Sequence, residues 1–162
     1  MAVDMFLKLE GVEGEAQDKA HAKEIDVLAW SWGMSQSGSM HVGGGGGAGK
    51  VSIQDISVTK YIDKSSPVLQ SYCSSGAQFK EGTLVVRKAG GSNPLEYFKI
   101  KMTSVIVTSY STGGSGGQDL LTENISLNFA EVDVEYQPQK SDGSKDGGAI
   151  KYGWNIAKNV KK

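Results

Sequence analysis

The chain has one cysteine, three prolines and no apolar run approaching the length of a membrane-spanning helix. Such a helix needs about twenty consecutive apolar residues, so membrane insertion is not expected. Cys73 has no partner for an internal disulfide, which fits folding in a reducing cytoplasm. Charge of one sign is also scarce: 17 basic against 18 acidic side chains leave a formal net charge of −1. Neither nucleic acid nor an anionic membrane is therefore an expected partner. The opening MAVDMFLKLEGVEGE lacks a basic start, an apolar block and a small-residue cleavage site in series. The protein is expected to be made in the cytoplasm without a Sec-type signal peptide, and any export must use a route that cleaves none.

Motifs for chemistry are equally thin. His21 and His41 are the only histidines, in polar or glycine-rich connections, with no spacing that makes a metal set. They read as ordinary loop histidines. No G-x-S-x-G elbow occurs among the serines. Asn124-Ile125-Ser126 fits a glycosylation sequon but falls in the middle of an expected strand, so it carries no weight. Gly44 to Lys50 satisfies G-x-x-x-x-G-K, yet Val51 stands where Ser or Thr should hold magnesium. The residues after it have strand rather than helix periodicity, so no helix N-terminus faces a phosphate. Glu131, Asp133 and Glu135 place three carboxylates on one strand face, but nothing desolvates them. A solvated face, or one meeting Lys99, Lys101 or Arg87, is the better reading. No catalytic residue, cofactor or metal is expected.

Alternation is plentiful. Glu24 to Lys50 joins a patterned strand to a glycine tract. In an extended strand Leu28, Trp30, Trp32 and Met34 share one face, bulky enough to be core, and Ile25, Val27, Ala29, Ser31 and Gly33 share the other. The tract itself has no side chains to bury: it is either a flexible surface hairpin or a loop ordered against something close-fitting, such as a second copy. Val3 to Glu10 reads as a half-buried strand, and Lys50 to Lys60 as a strand whose apolar phase shifts near Gln54 and Asp55. Ser66 as N-cap and Pro67 at the first helical position start a helix of two to three turns that Gly76 stops. Val68, Leu69, Tyr72 and Cys73 form its apolar stripe. Further strands are Thr83 to Lys88, Leu95 to Met102 and Ser104 to Tyr110, the last two combining into one bent strand. Leu120 to Tyr136 follows, with a bulge expected near Ala130 and Glu131, and Ile150 to Ile156 is the final strand. The expected fold is mainly β: an antiparallel β-barrel or two-sheet barrel with one short α-helix on its side, in a single domain over residues 1–162.

The segments EIDVLAWSWGMSQSG, KVSIQDISVTKYIDKSSPVL, LTENISLNFAEVDVEYQPQ and KYGWNI resemble the haemolysin-coregulated proteins, the Hcp family of type VI secretion tube subunits. The likeness runs over nearly the whole chain, from MFLKLEGVEGE to GWNI. It implies a homohexamer whose rings stack into a tube inside a contractile sheath, below a spike protein of the VgrG type. Expulsion of that tube carries effectors in the lumen to the extracellular space or a target cell. The resemblance also implies that Met40, His41, Val42, Gly43, Gly44, Gly45, Gly46, Gly47, Ala48, Gly49 and Lys50 form an arm reaching neighbouring subunits and the next ring. With the chain ending soon after its last strand, no C-terminal effector extension is expected. Ala29 and Ser31, on the small-residue strand face, are the expected lumen contacts. The rival readings are a nucleotide hydrolase, through the glycine-lysine match, and a monomeric β-sandwich ligand-binding module.

Overall fold

A computed structural model describes residues 3–41, 47, 49–88 and 94–162. The strands are β1 (Val3–Leu9), β2 (Ile25–Asp26), β3 (Ala29–Ser31), β4 (Met34–Gln36), β5 (Val51–Ile53), β6 (Ile56–Tyr61), β7 (Gln78–Lys88), β8 (Glu96–Thr112), β9 (Thr122–Tyr136), β10 (Ile150–Asn155) and β11 (Val160–Lys161). The helix α1 (Ser66–Ser75) lies between β6 and β7. All ladders are antiparallel; the main sheet runs β11-β10-β9-β8-β7-β1-β2, with β6 paired to β9 and β3 paired to β6. The mainly β class with one short helix is as expected. The ladders do not close into a barrel: β2 pairs with β1 as far as Asp26, and β3 takes up pairing with β6 only at Ala29. Between them, single hydrogen bonds from Val27 N to Met5 O (3.0 Å) and from Leu28 N to Thr59 O (2.8 Å) carry the chain across.

That crossing corrects the expected face assignment. Ile25 and Val27 are buried, whereas Leu28 is 39% and Met34 43% exposed. The chain turns at Val27–Leu28 as it leaves β1 for β6, so odd positions face the core before the turn and Trp30 and Trp32 after it, while Met34 lies in the separate β4-β5 sheet. Trp30 and Trp32 then pack on the core, Trp30 stacked against Phe98 and Trp32 tilted against Phe129.

The bulge expected at Ala130–Glu131 is absent, and the ladder from Thr103↔Glu131 to Val105↔Phe129 keeps its register. The apolar phase nevertheless changes there, in three strands at once. Phe79 is buried, then Gly82 and Leu84; Met102, then Val105; Phe129, then Val132. A crease thus crosses the sheet through Glu81, Thr103 and Glu131, with Thr103 paired to Glu81 on one side and to Glu131 on the other. Ser104, at φ 55°, supplies the backbone turn in β8. The one register shift between β8 and β9 lies instead between Val107 and Ser109. The expected bent strand is one element, β8, and the break at Gln54–Asp55 separates β5 from β6 as expected.

Gly76 ends α1 at φ 72°, its N–H bonded to Tyr72 O. The N-cap is Ser65 rather than Ser66. Ser66 turns inward instead, donating to Glu123 Oε1 (2.7 Å) and accepting from Asp63 N (3.0 Å). The core comprises Leu7, Leu9, Ile25, Ile56, Val58, Leu69, Phe79, Leu84, Ile100, Met102, Ile125, Leu127 and their neighbours. Cys73 packs at its margin, as a small apolar residue would.

Candidate functional site

On β6 and on the near half of β9, alternate residues point away from the core. Ile56, Val58, Ile125 and Leu127 are buried, while Ser57, Asn124 and Asn128 are exposed. Register carries this outward face across four strands. One row runs Ala29, Thr59, Asn124, Ser111; the next runs Ser31, Ser57, Ser126, Ser109. Both expected lumen residues, Ala29 and Ser31, are exposed and lie at one side of this patch. The patch is built from hydroxyls, amides and one methyl. Thr59 Oγ1 donates to Asn124 Oδ1 (2.6 Å), and at its margin Asp55 accepts from Thr108 Oγ1 (2.6 Å) and Asn128 Nδ2 (2.8 Å). Sequence alone marks Asn124 and Ser126 only as part of a discounted sequon, and does not mark Ser57, Thr59, Ser109 or Ser111 at all. Their period-2 spacing was visible, but the pairing that gathers them was not.

This four-strand layer, β3-β6-β9-β8, has two unused edges. Among the described residues β3 pairs only with β6, and β8 beyond Ile106 pairs only with β9. Unpaired edges present rows of backbone donors and acceptors to another chain.

The arm extends from a two-stranded sheet of its own, β4-β5. Met40 is 80% exposed, and His41, Gly47 and Lys50 are also exposed. Ser39 N donates to Gly47 O (3.2 Å), joining the two sides. Gly49 lies so close to Ser37 that a Cβ there would run into the Ser37 hydroxyl and carbonyl oxygens. Val42, Gly43, Gly44, Gly45, Gly46 and Ala48 lie outside the described residues. Val51 opens β5, so the G-x-x-x-x-G-K match leads into a strand.

The buried ionisable groups are tied into structure. His21 is not an ordinary loop histidine: it is 7% exposed, stacks on Phe6 at 4.4 Å, and its two ring nitrogens meet Glu24 (3.0 Å) and Glu96 (2.6 Å). The connection after β1 folds back over Phe6, which loop composition does not reveal. Burial pushes the Glu96 carboxyl up, but hydrogen bonds from His21 and Lys99 outweigh it and hold it below its ordinary value. Arg87 sits over the same Phe6 ring and binds Asp18 and Asp4. Its hydrogen bond holds the Asp18 carboxyl below the usual range. Lys101 pairs in register with Asp133, and Lys99 and Lys151 with Glu135, but the expected ion pairs do not form: Lys99 bridges to Glu96, Lys101 to Glu81, and Arg87 to Asp18 and Asp4. Lys162 Nζ reaches Asp133 at 2.6 Å. Lys60 and Glu123, both fully buried, pair between β6 and β9, and Tyr110 also donates to Glu123.

Comparison with known proteins places the chain among type VI secretion system proteins. The family described as "Type VI secretion system effector, Hcp" matches residues 6–136. A protein of Pseudomonas aeruginosa named Hcp1 is 66% identical over 160 residues, covering 99% of each chain. A solved structure titled as a type six secretion system protein superposes with a TM-score of 0.92 at 35% identity, covering 99% of this chain and 100% of that one. Hcp1 from Salmonella typhimurium gives 0.81 at 39% identity, with 100% of both chains covered. The chain belongs to the Hcp family. It is a tube protein of the type VI secretion machinery, and that family is structural and secreted rather than enzymatic. Among the described residues no helix is long and apolar enough to cross a membrane.

Proposed function

We propose that this chain, as a single domain, closes into a hexameric ring whose copies stack into the inner tube of the secretion apparatus. A contractile sheath surrounds that tube and a VgrG-type spike caps it. The observation that carries this reading is the layer β3-β6-β9-β8: a neutral outward face bounded on both sides by unused strand edges. One edge pairing with the opposite edge of the next copy is a heterologous contact, which gives a ring when the rotation closes. The patch containing Ala29 and Ser31 then lines the lumen, where effectors travel. Residues 40–50 serve as the arm to neighbouring subunits. The chain needs no cofactor and performs no catalysis. It leaves the cytoplasm with the expelled tube.

Light scattering behind a sizing column, with negative-stain images of the peak, tests this directly. Annular particles of hexamer mass are the expected result; a stable monomer at all concentrations would reject it. Replacing Ser31 with Phe is expected to leave ring mass unchanged while lowering the amount of effector that co-purifies. Unchanged retention would remove Ser31 from the lumen.

A further inference from the structure

Four apolar side chains stand exposed at the far end of β6: Tyr61 (39%), Ile62 (42%), Leu120 (62%) and Leu121 (41%). They form one knuckle, since Ile62 N donates to Leu121 O (2.9 Å) and Tyr61 pairs with Thr122. The knuckle is rigidly mounted. Directly beneath it, the buried Lys60 ammonium donates to Tyr61 O (2.9 Å) and Asp63 Oδ1 (3.0 Å) and pairs with Glu123. An apolar surface fixed by a satisfied buried network loses little freedom on binding, which favours docking.

At the other end of β6, across the break at Gln54–Asp55, the β4-β5 hairpin pairs with no strand outside itself among the described residues. An isolated two-stranded hairpin is marginal in water. It presents Met40 at 80% exposure, and beside it Met34 at 43%, whose Sδ accepts from the Tyr152 hydroxyl at 4.0 Å. Methionine is the side chain best able to adapt to an irregular apolar seat.

We propose that the knuckle is the seat, on a second copy of this chain, for the methionine-bearing β4-β5 arm. The inference rests on the tube reading above and specifies its stacking contact. Two arguments select a second copy. The two surfaces lie at opposite ends of one six-residue strand, a span of about 20 Å. Joining them relates copies by a step along that strand, across the direction of the edge-to-edge contact proposed for the ring, so it is a contact separate from ring closure. The second argument is area. A patch of this kind exposes on the order of 400 Å², well short of the roughly 800 Å² per partner that a stable pair needs. A lone pair of chains is therefore weak, and the contact holds only when a ring makes all of its copies at once.

The test uses the full-length chain. Leu120→Glu is expected to keep rings of wild-type mass and raise the concentration needed for stacks by about tenfold or more, whereas Leu120→Met keeps both. In a Cys73→Ser background, Leu120→Cys with Met40→Cys is expected to give, on oxidation, a reducible ladder extending beyond one ring. A ladder that stops at one ring would put the contact between ring neighbours and overturn the stacking seat. Absence of cross-linking, normal stacks from Leu120→Glu, or wild-type rings that never stack would each overturn it too. Loss of a co-purifying foreign protein with stacking intact would assign the knuckle to that protein instead. A wild-type chain that makes no rings defeats the tube reading itself, which separates the two failures.

Discussion

At the scale of single residues, the strongest commitment is Lys60 with Glu123. Both are fully buried, and Glu123 accepts from Lys60, Ser66 and Tyr110 together. Removing one charge strands the other in the interior. Lys60→Met or Glu123→Leu alone is expected to cost about 3–5 kcal/mol in urea denaturation, and the double replacement much less than the sum. Equal and additive losses would mean that the pair is not coupled. Asp18 and Glu96 set the acid limit. Both carboxyls are held below their ordinary values in the fold, Asp18 chiefly by Arg87 and Glu96 by His21 and Lys99 against the opposing effect of burial. A depressed folded pKa contributes stability above the unfolded value, about 4, and loses it as pH falls through the folded value. The urea midpoint is expected to drop below about pH 4, and Asp18→Asn should make that drop shallower. Tyr110 acts at the other end, raised first by burial and then by Glu123. Its contribution is present below about pH 10 and declines as pH rises through the higher folded value.

Among elements, the helix and the ends of most strands were legible in the sequence because their signals are local. Pro67 and Gly76 bracket α1, and the phase shift at Gln54–Asp55 marks the join of β5 to β6. What failed was inference that needed the partner strand. Alternation along residues 25–34 predicts one strand with one core face, but the chain changes partner at Val27–Leu28 and its faces exchange. The phase change at Ala130 was correctly located and wrongly explained: a bulge affects one strand, whereas here the partners change phase with it. Ser104, at φ 55°, is the sharpest point of that crease. Ser104→Val is expected to cost about 1–2 kcal/mol and Ser104→Gly little, as thermal unfolding will report. In the arm, Gly49→Val forces the two sides apart at Ser37. It should impair assembly while leaving the far-ultraviolet circular dichroism of the main sheet unchanged.

At the scale of the whole molecule, the glycine tract and strand faces predict a chain that needs copies of itself, and the neutral patch around Ala29 and Ser31 emerges only when four separate sequence segments are paired. Spacing along one strand reveals which side a residue takes, never which distant residue will stand beside it. The shared crease adds a constraint of its own. Since β7, β8 and β9 reverse their inward positions along one line, shortening any of them by a residue on one side would leave it out of step with both companions. Changes in chain length among natural variants should therefore gather in the connections outside these strands, with the residue count between Phe79 and Leu84, Met102 and Val105, or Phe129 and Val132 held constant.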